Sequence, residues 1–191
     1  MRTSLPVLAL HVIGFATLFA EAAPPSPAAL EAAGATVKTD ASGKIVEVRF
    51  RGSAVGAAIL QTLPELPSLT SVVVAGTDVN DEALASLGTI ATLKNLDLRD
   101  CPISNAGLAH LVNLKHLAAL RLSGKNGKTV VDDAGMVHVA KLTTLRALML
   151  DYLWVSEVGL ETLAPLQKLE DLTLAQTLVS DDALPVIARF P

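Results

Sequence analysis

A pair of apolar residues separated by one position recurs along this chain at an almost constant interval. Successive pairs begin 24, 24, 24, 28 and 24 residues apart. The pairs are Val48 and Phe50, Val72 and Val74, Leu96 and Leu98, Leu120 and Leu122, Leu148 and Leu150, and Leu172 and Leu174. Other apolar columns keep the same spacing before and after each pair. This period predicts an array of about six similar structural units.

Each unit has the pattern of a short strand followed by a helix. In an extended strand, Leu96 and Leu98 point to one side and Asp97 points to the other. Farther on, Leu108 and Leu111 are three positions apart and share one face of a helix. One unit cannot enclose its own apolar side, so we expect neighbouring units to stack and bury a continuous ladder of leucines. The predicted fold class is therefore α/β.

One complete unit shows the pattern in full. It reads Ile90-x-x-Leu93-x-x-Leu96-x-Leu98-x-x-Cys101-x-Ile103-Ser104-Asn105-x-Gly107-Leu108-x-x-Leu111. This pattern resembles the leucine-rich repeats, and it is most similar to the short repeats of exported bacterial proteins. The similarity runs from Val48 to Ile187, and segment 30–47 resembles the cap that often opens such arrays. The resemblance implies a curved solenoid with a parallel β-sheet on its concave face and short helices on its convex face.

Polar residues recur at the predicted helix entrances, where they can cap exposed N–H groups. These candidates are Asn80, Ser104, Asp132, Ser156 and Ser180. Four acids follow directly, where the positive end of the helix dipole favours them. They are Asp81, Asp133, Glu157 and Asp181.

A central column precedes these caps, and in the resembled family it holds a polar side chain bonded to the loop backbone. The aligned residues are Thr77, Cys101, Lys125, Leu153 and Thr177. Lys125 and Leu153 depart from the family pattern. Because no electropositive surroundings are visible for a thiolate, Cys101 is expected to be a buried structural thiol.

The first part of the chain is predicted to direct export. Arg2 is followed by an apolar run over 5–20 and by the small-x-small sequence Ala20-Glu21-Ala22, so residues 1–22 are interpreted as a signal peptide cleaved near Ala22. An uncleaved membrane anchor is the alternative. Residues 23–29 are proline-rich and predicted to form an extended linker, 30–47 a cap, and 48–191 the repeats, the last without its own cap. The expected location is secreted or periplasmic.

Composition excludes several classes of function. The chain has 15 Lys and Arg against 19 Asp and Glu, a formal charge of -4, and no basic stripe, so nucleic-acid binding is not expected. Its single cysteine rules out an intrachain disulfide and a thiolate zinc site. Removal of residues 1–22 leaves the net charge unchanged, because Arg2 and Glu21 leave together.

No catalytic arrangement is recognisable, and the chain is predicted not to be an enzyme. His110 and His138 occupy equivalent positions in adjacent units, so a shared metal is conceivable. However, no carboxylate is in register with them, and metal sites need three or four ligands. No Gly-x-Ser-x-Gly elbow or phosphate-binding loop occurs. Neither a cofactor nor a metal is predicted.

The strand residues that point away from the leucines should form the concave surface. One column is Arg49, Val73, Asp97, Arg121, Met149 and Thr173, and the next is Arg51, Ala75, Arg99, Ser123, Asp151 and Ala175. The only Tyr and the only Trp, Tyr152 and Trp154, follow the predicted strand of the fifth unit, beside the long loop 124–130. Because Tyr, Trp and Arg dominate binding hot spots, we predict a partner-binding patch. It comprises Arg99, Arg121, Lys125, Lys128, Met149, Asp151, Tyr152 and Trp154.

Several alternatives remain open at this point. Trp154 could pack inward, and the loop 124–130 could be a tolerated insertion. The favoured function is an exported recognition module for a protein, or for a glycan, on the concave face. A second interpretation is an assembly component that associates with another copy through its C-terminal edge, because Phe190-Pro191 matches the start of a repeat, Leu66-Pro67. A metal-dependent enzyme using His110 and His138 is the third.

Overall fold

Seven strands form one sheet whose spatial order follows the order of the chain. The structure is a computed structural model that describes residues 24–52 and 54–191. The predicted signal peptide, 1–22, lies outside these described residues. The strands are β1 (Ala35–Thr39), β2 (Ile45–Phe50), β3 (Ser71–Val73), β4 (Asn95–Asp97), β5 (Ala119–Ser123), β6 (Ala147–Asp151) and β7 (Asp171–Thr173).

The strand register confirms the predicted stacking of repeats. The strands β2 to β7 pair in parallel, each with the next one in the chain. Leu96 lies opposite Leu120, and Leu120 lies opposite Leu148. Because side chains alternate along a strand, this register puts the pair residues of every repeat on the same side of the sheet.

A short helical segment follows each of the strands β2 to β7, and these segments contact one another from repeat to repeat. The α-helices are α1 (Pro27–Ala32), α2 (Ala57–Thr62), α3 (Asp81–Leu87), α4 (Asn105–Leu108), α5 (Met136–Val139), α6 (Glu157–Thr162) and α7 (Leu184–Ile187). Short 3-10 turns extend the helical layer at Leu63–Glu65, Ala109–Leu111, Asp133–Gly135 and Asp181–Ala183. None of the helices in the described residues is both long and apolar enough to span a membrane.

All five predicted cap residues accept a hydrogen bond from a backbone N–H in the first helical turn. In the third repeat, for example, the Ser104 hydroxyl accepts from Ala106 N at 3.2 Å. The other four caps, in other repeats, are Asn80, Asp132, Ser156 and Ser180. The prediction of the helix starts is therefore confirmed.

The core lies between the sheet and the helical layer as one continuous apolar cluster. Leucines from successive repeats fill it, and Leu96, Leu120 and Leu148 are all buried. Burying a leucine stabilises the folded state by about 1.5–3 kcal/mol. Since one repeat covers the next, this stabilisation belongs to pairs of neighbouring repeats more than to any single one.

The N-terminal end of the core is closed by α1 and by the hairpin of β1 and β2. The two strands pair antiparallel, and Leu30 of α1 is fully buried. The predicted linker over 23–29 is not extended throughout, because Pro27 is the first residue of α1. Proline fits a first helical position, where its missing N–H has no partner to lose, and the Ser26 side chain caps this helix. That part of the linker prediction is therefore wrong.

The last repeat leaves much of its apolar side uncovered. Leu172 and Leu174 are only partly buried, whereas Leu148 and Leu150 in the preceding repeat are buried. In α7, Leu184 is 62% exposed, although Leu160 at the same position in α6 is fully buried. Among the described residues, no element packs beyond β7 in the sheet.

Candidate functional site

The concave face, defined as the sheet face pointing away from the helices, carries the predicted outward columns. Parallel pairing aligns the first column residue by residue: Arg49, Val73, Asp97, Arg121, Met149 and Thr173. In the second column, Ser123 pairs with Asp151. Neighbouring side chains on such columns are spaced by the strand separation, about 4.8 Å. The surface is therefore a regular grid in which polar and charged groups outnumber apolar ones.

A groove of about 640 Å³ occupies the part of the concave face over the strands β2 to β5. Within it, Asp97 is buried and receives two hydrogen bonds from the Arg99 guanidinium, Nε to Oδ1 at 2.9 Å and Nη2 to Oδ2 at 2.7 Å. The hydrogen bond to Asp97 raises the pKa of Arg99 above its ordinary value, although partial burial opposes the shift. The guanidinium of Arg99 is therefore fixed in place as a cation.

At the edge of the same groove, Glu47 joins two cations. Its Oε1 lies 3.0 Å from Lys38 Nζ and 3.1 Å from Arg49 Nη2. Burial alone raises the pKa of Glu47, but the hydrogen bond from Lys38 and the charges of Lys38 and Arg49 outweigh it and lower the pKa. Glu47 is thus held ionised at neutral pH.

The loop 124–130 is fixed to neighbouring repeats on both sides. Asn126 Nδ2 donates to the Asp100 carbonyl at 2.8 Å, and Gly124 N donates to the Asp151 carbonyl at 3.1 Å. A Cβ on Gly124 would overlap the carbonyl oxygen of Tyr152, so the loop approaches the fifth repeat as closely as a glycine allows. The insertion is therefore part of the packed array.

Tyr152 is presented next to this loop by a left-handed backbone turn. Its φ is 59°, and the equivalent positions Gly76, Asp100 and Gln176 also have positive φ. This conformation costs a non-glycine residue about 1–2 kcal/mol. Lys125 Nζ lies 5.8 Å from the centre of the Tyr152 ring, within the range of a cation–π contact.

Trp154 does not pack inward, so that alternative is wrong. Leu153 is buried instead, and Trp154 is 67% exposed. The reason is the backbone: Trp154 N donates to the Val131 carbonyl at 3.2 Å, and Trp154 forms an isolated parallel bridge with Asp132. In extended backbone, alternate side chains point to opposite sides. Val130, at 58%, and Leu178, at 55%, occupy the same position in adjacent repeats. We call Val130, Trp154 and Leu178 the apolar rim, a feature the sequence alignment did not bring out.

The predicted patch divides between two surfaces. Arg99 and Arg121 line the groove, and Arg121 and Met149 line a smaller depression of about 190 Å³ over β5 to β7. Asp151 accepts a hydrogen bond from Ala175 N at 2.8 Å and so joins β6 to the last repeat. The remaining members lie on the loop side of the sheet, all exposed: Lys125, Lys128, Tyr152 and Trp154.

The central polar column contains Thr129, and the prediction of Lys125 there is wrong. The Thr129 hydroxyl is buried and lies 2.8 Å from the Cys101 carbonyl and 2.7 Å from the Ser123 carbonyl, whereas Lys125 is exposed. The four extra residues of this repeat precede the column. An alignment that places the gap before Thr129 keeps the polar residue in register, and that placement could have been chosen from the sequence.

Cys101 is a buried thiol in this column, as expected. Its Sγ donates to the Val74 carbonyl at 3.1 Å and lies 3.7 Å from the Thr77 hydroxyl. Burial raises the pKa of the Cys101 thiol, which keeps it protonated and unreactive at neutral pH.

Side-chain hydrogen bonds join the helix starts of successive repeats, and local reasoning about helix dipoles missed them. Asp81 accepts from Ser104 N at 2.9 Å and from the Ser104 hydroxyl at 2.5 Å. The same two bonds link Asp133 with Ser156 and Glu157 with Ser180, while Asn105 and Asp132 exchange two hydrogen bonds. The hydrogen bond from Ser180 lowers the pKa of Glu157. We call this series the acid ladder.

The acid ladder explains the recurring glycine of the repeats. A Cβ on Gly107 would overlap the Asp81 carboxylate, and one on Gly159 would overlap Asp133. A Cβ on Gly135 would lie only 2.5 Å from Asn105 Oδ1. Glycine at these positions therefore leaves room for the carboxylate or amide of the preceding repeat.

His110 and His138 lie on the helical side of the described chain, and His138 Nδ1 is buried without a hydrogen-bond partner there. No group of three or more His, Cys, Asp or Glu in residues 24–52 and 54–191 is arranged to hold a metal ion.

Comparisons with known proteins give structural similarities only. No protein-family model matches the chain, and no curated protein matches it significantly. Internalin C2 from Listeria monocytogenes is similar with a TM-score of 0.53 and 18% identity, over 77% of this chain and 77% of that one. The leucine-rich repeat ectodomain of the Arabidopsis receptor kinase HAESA, solved with a peptide hormone, is similar over 80% of this chain and 30% of its own, with a TM-score of 0.47 and 20% identity. The repeated units, the parallel sheet and the first of these similarities show that this chain has the leucine-rich repeat fold.

Proposed function

We propose that this protein is a recognition module that binds a protein partner through its concave face and the loop 124–130, and that it does no chemistry. The observation that carries this proposal is the exposure of its only tyrosine, 40%, and its only tryptophan, 67%. Large aromatic side chains at a surface are the strongest contributors to protein interfaces.

The surroundings of the two aromatic residues support the same proposal. The apolar rim places Trp154 between Val130 and Leu178, which extends the exposed apolar surface over three repeats. Tyr152 has Lys125 beside its ring, which adds a cation to the same exposed surface. The rest of the proposed surface consists of Arg99, Arg121, Lys128, Met149 and Asp151.

The test begins with capture of a partner from the native exported fraction and continues with its measured affinity. Replacing Tyr152 and Trp154 together by alanine should weaken binding by about 2–4 kcal/mol, because both lie in the proposed hot spot. Val137 and Val158 are exposed apolar residues of helices, and their double alanine variant is the matched control. Unchanged affinity in the Tyr152 and Trp154 variant would refute the proposed surface.

The substitution Tyr152→Gly separates binding from folding. Glycine adopts positive φ without steric cost, so this variant should be as stable as the wild type or more stable by up to about 1 kcal/mol. Binding of the captured partner should nevertheless fall. Loss of stability together with loss of binding would mean that Tyr152 has a structural role.

We also propose that the protein is exported, with residues 1–22 removed as a signal peptide. The proposal rests on the sequence pattern of Arg2, the apolar run 5–20 and the small residues before Ala23. Mass spectrometry of the protein from its native source should give an N-terminus at or near Ala23. Recovery of the full chain in the membrane fraction would support the anchor alternative instead.

Self-association through the last repeat is a second candidate function, favoured by one observation. Leu184 and Leu178 are exposed there, and Leu172 and Leu174 are partly exposed. Light scattering with size-exclusion chromatography should then show dimers whose fraction rises with concentration and falls in the variant Leu184→Asp. A strict monomer at high concentration would contradict this candidate.

A further inference from the structure

The groove over β2 to β5 differs in charge from the rest of the molecule. Four arginines and two carboxylates line it, so the lining carries a net charge of +2, whereas the whole chain carries -4. The arginines are Arg49, Arg51, Arg99 and Arg121. A concave surface lined by one sign of charge concentrates ligands of the opposite sign.

The two carboxylates of the groove do not neutralise all of its arginines. Asp97 is bound by Arg99, and Glu47 is shared by Arg49 and Lys38. Within the part of the chain that the structure describes, neither Arg51 nor Arg121 forms an ion pair. Two guanidinium groups of the groove are therefore left to bind an anion.

The positions of these two arginines set the spacing of the ligand's charges. Arg51 directly follows β2, and Arg121 lies on β5, three strands farther along the sheet. Three strand separations amount to about 14 Å, and Arg51 lies two residues beyond Arg49, the residue in register with Arg121, which adds about 7 Å along the strand. The Cα atoms of the two arginines are therefore about 16 Å apart, and their long side chains can each reach inward by a few ångströms. In an extended peptide, residues four apart on the same face are separated by about 13–14 Å. Carboxylates at such positions can reach both arginines at once.

The remaining lining favours a polypeptide over a phosphate polymer. A nucleic-acid chain carries a negative charge at every nucleotide, but only Arg51 and Arg121 of the groove lack a carboxylate partner in the described structure. Ser71 and Asn95 offer hydrogen-bonding groups between the charged residues, suited to a peptide backbone. Arg99 is already ordered by Asp97, which lowers the entropy lost on binding.

We infer that this groove binds an acidic, extended segment of a protein partner, with carboxylates of the segment on Arg51 and Arg121. The inference rests on the proposed function and adds the chemistry of the ligand at a second part of the concave face. The apolar rim and Tyr152 follow β5 to β7 on the loop side of the sheet, so a partner that also makes the aromatic contact would continue from the groove onto that side.

The test uses the full chain and a fluorescein-labelled peptide of about twelve residues that alternates Glu with Thr. Fluorescence anisotropy at low salt should show saturable binding, and a peptide with Gln in place of Glu should bind at least about tenfold more weakly. The double variant Arg51→Glu with Arg121→Glu should lose at least about tenfold in affinity for the Glu peptide. Neither side chain makes a hydrogen bond or ion pair in the described structure, so folding should be unaffected, as circular dichroism would verify.

A charge-matched control distinguishes the groove from the general charge of the protein. Lys141 and Lys168 are exposed and lie outside the groove lining, and their double replacement by glutamate changes the net charge equally. This control should bind the Glu peptide within about twofold of the wild type. An equal loss in both double variants would overturn the inference.

Three further results would also overturn it: no saturable binding up to about 1 mM, equal affinity for the Gln peptide, or tighter binding of a heparin oligosaccharide or of oligothymidine than of the Glu peptide. Failure of this proposal is distinguishable from failure of the proposed function. If the Arg51 and Arg121 variant binds the captured partner normally while the Tyr152 and Trp154 variant does not, only the groove is excluded.

Discussion

At the β2 end of the sheet, α1 and the antiparallel strand β1 cover the core, and Leu30 is fully buried. At the β7 end, Leu184 is 62% exposed. The difference does not come from the repeat sequence, since Leu160 occupies the same position as Leu184 and is fully buried. A leucine of the repeat is buried in this fold only when another repeat or a cap packs against it. The same leucine column can therefore stabilise the fold in one repeat and form an open surface in another.

The largest expected contrast comes from alanine substitutions at the two ends. Leu30→Ala should reduce the free energy of unfolding by about 2–5 kcal/mol, because it leaves a cavity under the N-terminal cap. Leu184→Ala should cost less than about 1 kcal/mol, because the side chain is already exposed. Urea denaturation measures both, and Leu160→Ala in the equivalent buried position should behave like Leu30→Ala.

An equal loss of unfolding free energy in Leu184→Ala and Leu160→Ala would contradict this difference between the two ends. It would mean that the apolar side of the last repeat is covered in solution. Repeating the denaturation at several protein concentrations would then show whether another copy provides the cover, since its contribution rises with concentration.

A smaller contrast is expected along the acid ladder. Gly107→Ala should destabilise the protein by about 1–3 kcal/mol, because the new Cβ overlaps the Asp81 carboxylate. The last repeat has Ala183 at the equivalent position, and the longer Glu157 still reaches Ser180. Ala183→Gly should therefore relieve no clash and should cost only about 1 kcal/mol through backbone entropy.

A double-mutant cycle sharpens this prediction. In the background Asp81→Ala, the substitution Gly107→Ala should cost clearly less than in the wild type, since the overlapping carboxylate is gone. Strict additivity of the two changes in unfolding free energy would show that Gly107 is required for another reason.

The smallest expected effect is the response of the two ends to acid. The hydrogen bond from Ser42 lowers the pKa of Asp40 in the β1–β2 turn below 3.8, and the one from Ser180 lowers the pKa of Glu157 below 4.5. Both carboxylates are more acidic in the folded state, so each stabilises the fold above its ordinary pKa and loses that effect as the pH falls through the folded value. The thermal stabilities of Glu157→Gln and Asp40→Asn should each approach that of the wild type as the pH decreases.

The amide protons of Ser180 and Ser42 report the two titrations separately in nuclear magnetic resonance spectra, because each donates to the carboxylate concerned. Midpoints at or above the ordinary values would contradict the hydrogen-bonded arrangement at that end of the sheet.

The sequence predicts those features that depend on one repeat and its period. The strand pairs, the helix caps and the outward columns follow from local patterns, and the structure has them in the predicted register. The role of Asp81 was missed because its partner, Ser104, is 23 residues away and comes close only when repeats stack. Thr129 is a different case, because a gap placed before it in the alignment would have put it in the polar column from the sequence alone.

The sequence predicts which residues the candidate site contains, but not how their side chains pair or point. The two outward columns place the arginines on one face, but only the folded sheet shows that Arg99 is held by Asp97 while Arg51 and Arg121 lack such a partner among the described residues. The outward direction of Trp154 depends on its parallel bridge with Asp132 in the preceding repeat. Single-residue patterns do not contain these relations, since they arise between strands.

The acid ladder also governs how an array of this kind can lengthen or shorten. Asp81 and Gly107 form one fitted pair and Asp133 and Gly159 another, and each pair spans the boundary between two repeats. A duplicated whole repeat supplies one acid to its successor and one glycine to its predecessor, so every junction is again complementary. Insertion of a repeat whose glycine had become alanine would place a methyl group against the carboxylate before it. Gene duplication can therefore extend the array without new compensating substitutions, provided that acid and glycine are copied together.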